Sequence, residues 1–161
     1  MDYTIREMKK DEYDLLSNFL YEAIYIPEGI KLPPKSIIKI PELQVYIHDF
    51  GISEHDKALV AIINENVIAC CWVRIMNDYG HIDNNTPSLS ISIYKEYRNL
   101  GIGAKLLEKM ILMLKSFNYN GISLSVQKEN YAVKMYKKVG FNVVRENKDE
   151  YIMLYKYKKG V

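Results

Sequence analysis

The sequence predicts an α/β (α+β) domain: a mixed, mostly antiparallel sheet of about six to seven strands, one adjacent pair parallel, with about four helices packed on it. Three observations carry that expectation. The run Leu89-Ser90-Ile91-Ser92-Ile93-Tyr94 alternates apolar and small polar residues as a strand does. A glycine-bearing turn, Tyr97-Arg98-Asn99-Leu100-Gly101-Ile102-Gly103-Ala104, joins it to a segment where Leu107, Met110, Ile111 and Leu114 recur at helical spacing. A second strand, Ile122–Val126, follows that helix, and a strand–helix–strand crossover sets its two strands parallel. Around this unit, strand-like runs flank the short polar turns Asn64-Glu65-Asn66 and Asn147-Lys148-Asp149 and read as antiparallel hairpins.

Taken in order, Tyr3–Glu7 reads as a short edge strand. Lys9–Tyr25 reads as a helix, with Tyr13, Leu16, Leu20 and Ile24 on one side and Asp11 and Glu12 at its positive end. Pro27, Gly29, Pro33 and Pro34 then interrupt regular structure. Ser36 is a candidate cap for a second helix, although Pro41 favours a break or a late start. Leu43, Tyr46, Ile47 and Phe50 share a side, which favours helix over strand there. Lys57–Ile63 and Val67–Met76 form the first hairpin, and residues 77–87 form a polar loop. Asn118–Gly121 ends the helix of the central unit. Asn130 is placed to cap a short helix carrying Ala132, Met135, Tyr136 and Val139 on one side, and Gly140 stops it. Phe141–Arg145 and Tyr151–Tyr155 form the closing hairpin.

Composition narrows the function. The chain has 161 residues, a size that suits one domain, and 48% of them are hydrophobic, enough for a sizeable core. Its net charge of +2 is small beside 22 basic and 20 acidic residues, which gives no nucleic-acid or membrane signal. Asp2, Arg6 and Glu7 fall where the apolar part of a secretion signal would begin. The two cysteines, Cys70 and Cys71, are adjacent in a strand-like run and so face opposite ways, which suits neither a disulfide framework nor a metal site. The expected compartment is a reducing cytoplasm.

The turn between strand and helix carries the chemistry. The first N–H groups of a helix lack intrahelical partners, and the dipole adds partial positive charge there. Glycines let the backbone curl so that several N–H groups converge, and Arg98 adds a full charge. Such a turn seats a phosphate or pyrophosphate. The spacing is not that of a Walker loop, which ends in Gly-Lys-Ser/Thr. Nor is it a Rossmann fingerprint, whose third glycine would stand where Leu106 does.

What remains is Arg-x-x-Gly-x-Gly, from Arg98 to Gly103. It resembles the pyrophosphate loop of the GNAT superfamily, the Gcn5-related N-acetyltransferases. Asn130-x-Ala132-x-x-x-Tyr136-x-x-x-Gly140-Phe141 also resembles that family's penultimate helix and following turn, and the element order matches the fold over nearly the full chain. The resemblance implies a sheet whose central parallel pair splays apart around acetyl-CoA, with no metal. Ile91, Ser92 and Ile93 would bond the pantetheine arm, and Arg98, Asn99, Leu100, Gly101, Ile102, Gly103 and Ala104 would hold the pyrophosphate. Asn130 would touch the arm or serve as a helix cap alone. Tyr136 would be the general acid facing the departing sulfur; otherwise it is a core aromatic. A non-catalytic acyl-CoA-binding domain is the rival reading.

The implied reaction is direct attack by a primary amine, on a small molecule or a peptide, with a backbone N–H near Ile93 polarising the thioester carbonyl. A phenol titrates near 10 and a thiol near 8.5, so full proton transfer from Tyr136 to thiolate is uphill by roughly 2 kcal/mol. Freeing an alkylamine from its proton at pH 7 costs roughly 4–5 kcal/mol, so a base or water chain is needed. Some family members carry a glutamate on the strand before the loop. Ser88, Leu89, Ser90, Ile91 and Ser92 offer none. His81 and Asp83 are the nearby candidates, with Asp78 behind them, and ordered water relayed by serines is the alternative. The Tyr21–Lys35 segment is expected to cover the acceptor, with Glu22 and Glu28 either drawing a cationic amine or simply solvated. A homodimer is left open.

Overall fold

In the computed structural model, which describes residues 2–158, the seven strands form one sheet ordered β1-β2-β3-β4-β5-β7-β6. The strands are β1 (Thr4–Glu7), β2 (Lys57–Ile63), β3 (Asn66–Arg74), β4 (Ser88–Ile93), β5 (Gly121–Gln127), β6 (Asn142–Glu146) and β7 (Glu150–Lys156). The helices are α1 (Leu16–Ala23), α2 (Pro41–Gln44), α3 (Ile102–Leu114) and α4 (Ala132–Val139). All neighbouring strands pair antiparallel except β4 and β5, which are parallel. The β2–β3 turn places Asn64 and Glu65 at φ 48° and 67°, the left-handed pair that a two-residue hairpin with the sheet's own twist requires.

Three expectations need correction. The first helix begins as a 3-10 turn, Lys10–Leu15, and becomes α-helical at Leu16. There Glu12 accepts both nitrogens of the Arg6 fork at 2.8 Å and the Lys9 N–H at 2.8 Å, which fixes the turn to β1. Ser36 caps nothing. It lies inside a 3-10 turn, Lys35–Lys39, and α2 begins with Pro41 at its first position, where the missing N–H has no bond to lose. The second strand of the first hairpin ends at Arg74, two residues early, because the chain turns there into the loop before β4.

The sheet divides the core. On one face, alternate residues of β4 and β5 (Leu89, Ile91, Ile93; Ile122, Leu124, Val126) meet Leu106, Leu107, Met110 and Leu114 of α3 and Val133 and Tyr136 of α4. On the other, Cys70 and Trp72 of β3 meet Leu16, Phe19 and Leu20 of α1. Cys70 and Cys71 are both free and fully buried, one toward each face. The Trp72 Nε1–H donates to the Tyr46 carbonyl at 3.0 Å. Arg74 donates to the carbonyls of Val45 and His48 and pairs with Asp56, whose side chain is 1% exposed. These bonds hold the turns after α2 against β3 and fix where Tyr46 sits.

Candidate active site

β4 and β5 pair at a single position, Ser88 opposite Ser123. Beyond it, the edge of β4 that faces β5 has no strand partner, so the backbone groups from Leu89 to Ile93 on that edge look into a gap. Ile91, Ser92 and Ile93 therefore lie on the open edge. Ser92 is also tied down on the α1 side, where its hydroxyl donates to the Phe19 carbonyl at 2.7 Å.

At the far end of β4 the chain turns into α3. No side chain caps α3, and Gly101, just before it, is left-handed at φ 82° with nothing within 4 Å of where a Cβ would stand. Asn99 is left-handed as well, at φ 63°. This backbone leaves the first amides of α3 without a side-chain cap. Gly103 does a different job from the one its motif suggests. Its φ is ordinary, and a Cβ there would lie 3.0 Å from Met135 Sδ and 3.2 Å from Ile93 Cδ1, so it lets α3 approach α4 and β4 closely. The Arg98 side chain donates Nε–H to the Ile93 carbonyl at 2.9 Å and pairs with Glu22 of α1 at 3.1 Å. Glu22 is thus engaged by the loop's own arginine.

Asn130 stands one residue before Tyr131, the N-cap of α4, and its Oδ1 accepts the Ala132 N–H at 2.9 Å. At the other end of α4, Gly140 is left-handed at φ 119°, and the Tyr136 carbonyl accepts the N–H groups of Gly140 and Phe141 at 3.2 and 3.0 Å. Phe141 packs edge-on against the Tyr136 ring. The Gly140-Phe141 pair therefore positions Tyr136, which explains the spacing in mechanical terms. Tyr136 is buried, and burial first, then the nearby Cys71, pushes its phenol well above 10. The phenol stays protonated at physiological pH and donates a hydrogen bond more readily than a proton.

The loop before β4 separates the three candidate bases. Asp83 serves the turn: its Oδ1 accepts the Asn85 N–H and the Thr86 hydroxyl, both at 2.8 Å, and the Thr86 bond leads in holding its carboxyl below the usual range. His81 folds back, its N–H on the Asp78 carbonyl, and its ring Nδ1 is the one fully buried side-chain polar atom without a partner among the described residues. Asp78 reaches inward. Its Oδ1 accepts the Ser88 hydroxyl at 3.1 Å, and its Oδ2 lies 3.5 Å from the Tyr46 hydroxyl. Burial raises the Asp78 carboxyl, and burial followed by Asp78 itself pushes Tyr46 up to about 12. Sequence reading did not bring Tyr46, Ser88 and Ser123 together around Asp78, where the Ser123 hydroxyl lies 3.5 Å from that of Ser88. No spacing signals it, because they come from three separate segments.

Comparison with known proteins agrees with this geometry. The model of the acetyltransferase (GNAT) family matches residues 23–141. An N-alpha-acetyltransferase of Sulfurisphaera tokodaii is 34% identical, over 73% of this chain and 83% of its own. Another, of Saccharolobus solfataricus, is 27% identical over 93% of this chain and 86% of its own. The crystal structure of the PaiA N-acetyltransferase of Thermoplasma acidophilum in complex with coenzyme A superposes with a TM-score of 0.68 at 21% identity, covering 98% and 100% of the two chains. On the splayed parallel pair, the uncapped turn and these matches, the chain belongs to the acetyltransferase (GNAT) family and is an N-acetyltransferase.

Proposed function

We propose that the chain, acting as one catalytic domain in the cytoplasm, moves an acetyl group from acetyl-CoA to the α-amine of a peptide or protein. The observation that carries this reading is the β4–β5 gap opening beside an uncapped helix start. Backbone amides from Asn99 to Ala104 would hold the diphosphate, with Arg98 beside them. The open edge at Ile91, Ser92 and Ile93 would bond the amides of the pantetheine arm, and a backbone N–H farther back along that edge, toward Ser88, would polarise the thioester carbonyl. Asn130 would close the arm from the α4 side. Tyr136 would hydrogen-bond the sulfur as the carbon–sulfur bond breaks. On the acceptor face, His81 and Asp83 stand in the loop that borders the gap.

The two curated relatives named above are N-alpha-acetyltransferases, which favours an α-amine over a side-chain amine. Chemistry favours it too. An α-amine titrates near 8, so freeing it at pH 7 costs about 1 kcal/mol, against roughly 4–5 for an alkylamine. The segment between α1 and α2 would cover the acceptor. It is held at its start by the Tyr21 hydroxyl on the Pro33 carbonyl at 2.6 Å and by the Tyr25 hydroxyl on the Glu129 carbonyl at 3.4 Å.

The test is acetyl-CoA with peptides of varied first residue and, separately, with polyamines. Thiol release with peptides and a new N-terminal acetyl by mass spectrometry supports the reading. Release with polyamines alone replaces the acceptor class. A folded protein that gives no calorimetric heat with coenzyme A removes the donor.

A further inference from the structure

We propose that Asp78 is the group that takes the proton from the incoming ammonium, at the closed end of the β4–β5 gap, with Ser88 and Tyr46 fixing its two carboxylate oxygens. This rests on the acetyl-transfer reading above.

Position is the first argument. The two strands touch only at Ser88 and Ser123, and the Ser88 hydroxyl bonds Asp78. A strand rises about 3.3 Å per residue, so an arm running back along β4 from the α3 turn ends near this closed end. The Asp78-to-Gly80 turn is pressed onto β5: a Cβ on Gly80 would stand 3.2 Å from Asp78 Oδ2 and 3.5 Å from the Ser125 nitrogen. Asp78 therefore borders both strands that flank the gap.

Polarity is the second. The buried serines Ser88 and Ser123 face each other where the two strands meet, their hydroxyl oxygens 3.5 Å apart. Buried hydroxyls cost free energy unless bonded, and the bond from Ser88 to Asp78 sets that carboxylate at the junction of the two strands. The enclosed, unpartnered Nδ1 of His81, in the same loop, points the same way.

The other carboxylates near the acceptor face are bonded away from the Ser88–Ser123 junction. Glu22 pairs with Arg98, Asp83 serves its turn, and Glu150 accepts from the Gln127 amide at 2.9 Å. The titratable groups facing Asp78 are Tyr46 from the segment after α2 and His81 in its own loop; beyond them Glu150 of β7 faces Tyr46, and Arg145 of β6 donates to the Tyr79 carbonyl.

The proton balance is simple. One N–H bond of the ammonium breaks and an O–H bond forms on Asp78. The freed lone pair attacks the thioester carbon. As the tetrahedral intermediate collapses, the C–S bond breaks, and the surplus proton on nitrogen reaches the sulfur by way of the Tyr136 hydroxyl. Asp78 then returns its proton to solvent.

The test compares wild type with Asp78→Asn and Tyr46→Phe, using acetyl-CoA and a panel of free-amine peptides and primary alkylamines, from about pH 6 to about pH 10. Asp78→Asn is expected to lower kcat/KM about 100-fold at neutral pH, a general-base effect, and the deficit should shrink at alkaline pH as solvent frees the amine. Coenzyme A affinity should not change. Burial raises the Asp78 carboxyl, so its ionisation opposes folding above the ordinary carboxylate range; the amide should leave the unfolding temperature at pH 8 unchanged or higher. Tyr46→Phe should cost only a few-fold. Equal activity of Asp78→Asn and wild type at every pH overturns the proposal. So does a pH-independent loss accompanied by a lower unfolding temperature, which marks a structural anchor. If wild type binds coenzyme A yet acetylates no panel member, the transfer reading fails and the proposal falls with it.

Discussion

On the α3–α4 face, the groups assigned to the acetyl donor come mostly from one unbroken run, residues 91–104, with Asn130 and Tyr136 added by a helix that Gly140 terminates. On the α1–α2 face, the groups assigned to the acceptor are Tyr46, Asp78 and Ser88, at the junction with Ser123, brought together by long-range bonds such as Trp72 to the Tyr46 carbonyl. The first face offers backbone amides to a diphosphate, and backbone geometry is set locally by glycine and helix start. The second offers side chains to an ammonium, and those depend on packing across the whole sheet. The donor seat can therefore stay fixed while the acceptor face changes.

Four substitutions probe that contrast. The largest effect is expected from Arg74→Ala, which strands the buried Asp56 carboxylate and releases the turn that carries Tyr46. Breaking such a buried pair costs about 3–5 kcal/mol, read from urea unfolding. A cost under about 1 kcal/mol would show that the acceptor face is held by something else. Next, Tyr136→Phe should lower kcat about 100-fold while leaving coenzyme A affinity intact. Unchanged turnover at saturating substrates would take Tyr136 out of the chemistry. Because burial pushes its phenol well above 10, Tyr136 should also add no falling limb to the rate profile up to about pH 10.

Gly103→Val should destabilise by about 1–3 kcal/mol through overpacking against Met135 and Ile93, and weaken coenzyme A binding as α3 shifts. Calorimetry and thermal unfolding together would show whether the seat and the packing are separable. The smallest effect belongs to Glu22→Gln. Arg98 and Glu22 are each about one-third exposed, at 35% and 30%, so their pair adds little to stability. Removing the carboxylate frees Arg98 for the diphosphate and should tighten coenzyme A binding a few-fold at low salt, with the gain fading as salt rises. Weaker binding would mean that Glu22 orients Arg98 rather than competing for it.

Much of the fold was legible. The β4–α3–β5 unit, both hairpins and the Asn130 and Gly140 ends of α4 follow from alternation, helical spacing and caps, all local properties. Less legible was the region from Lys9 to Phe50. There a 3-10 turn replaces the first helical turns, and two proline-led turns replace the second helix, because tertiary bonds such as Arg6 to Glu12 override the helical pattern. The motif named Gly103 correctly but for an incomplete reason: close packing, not backbone freedom, requires glycine there.

By itself the sequence determined the strand–turn–helix seat and the order of the elements around it, since both arise from neighbours in the chain. Only the tertiary structure decided that Arg98 is paired with Glu22, 76 residues away, that Asp83 serves a turn, and that Asp78 meets Ser88 and Tyr46 at the closed end of the gap. The physical reason is range. Backbone amides are aimed by the residues beside them, whereas a side-chain cluster exists only once the sheet has brought distant segments within hydrogen-bonding distance.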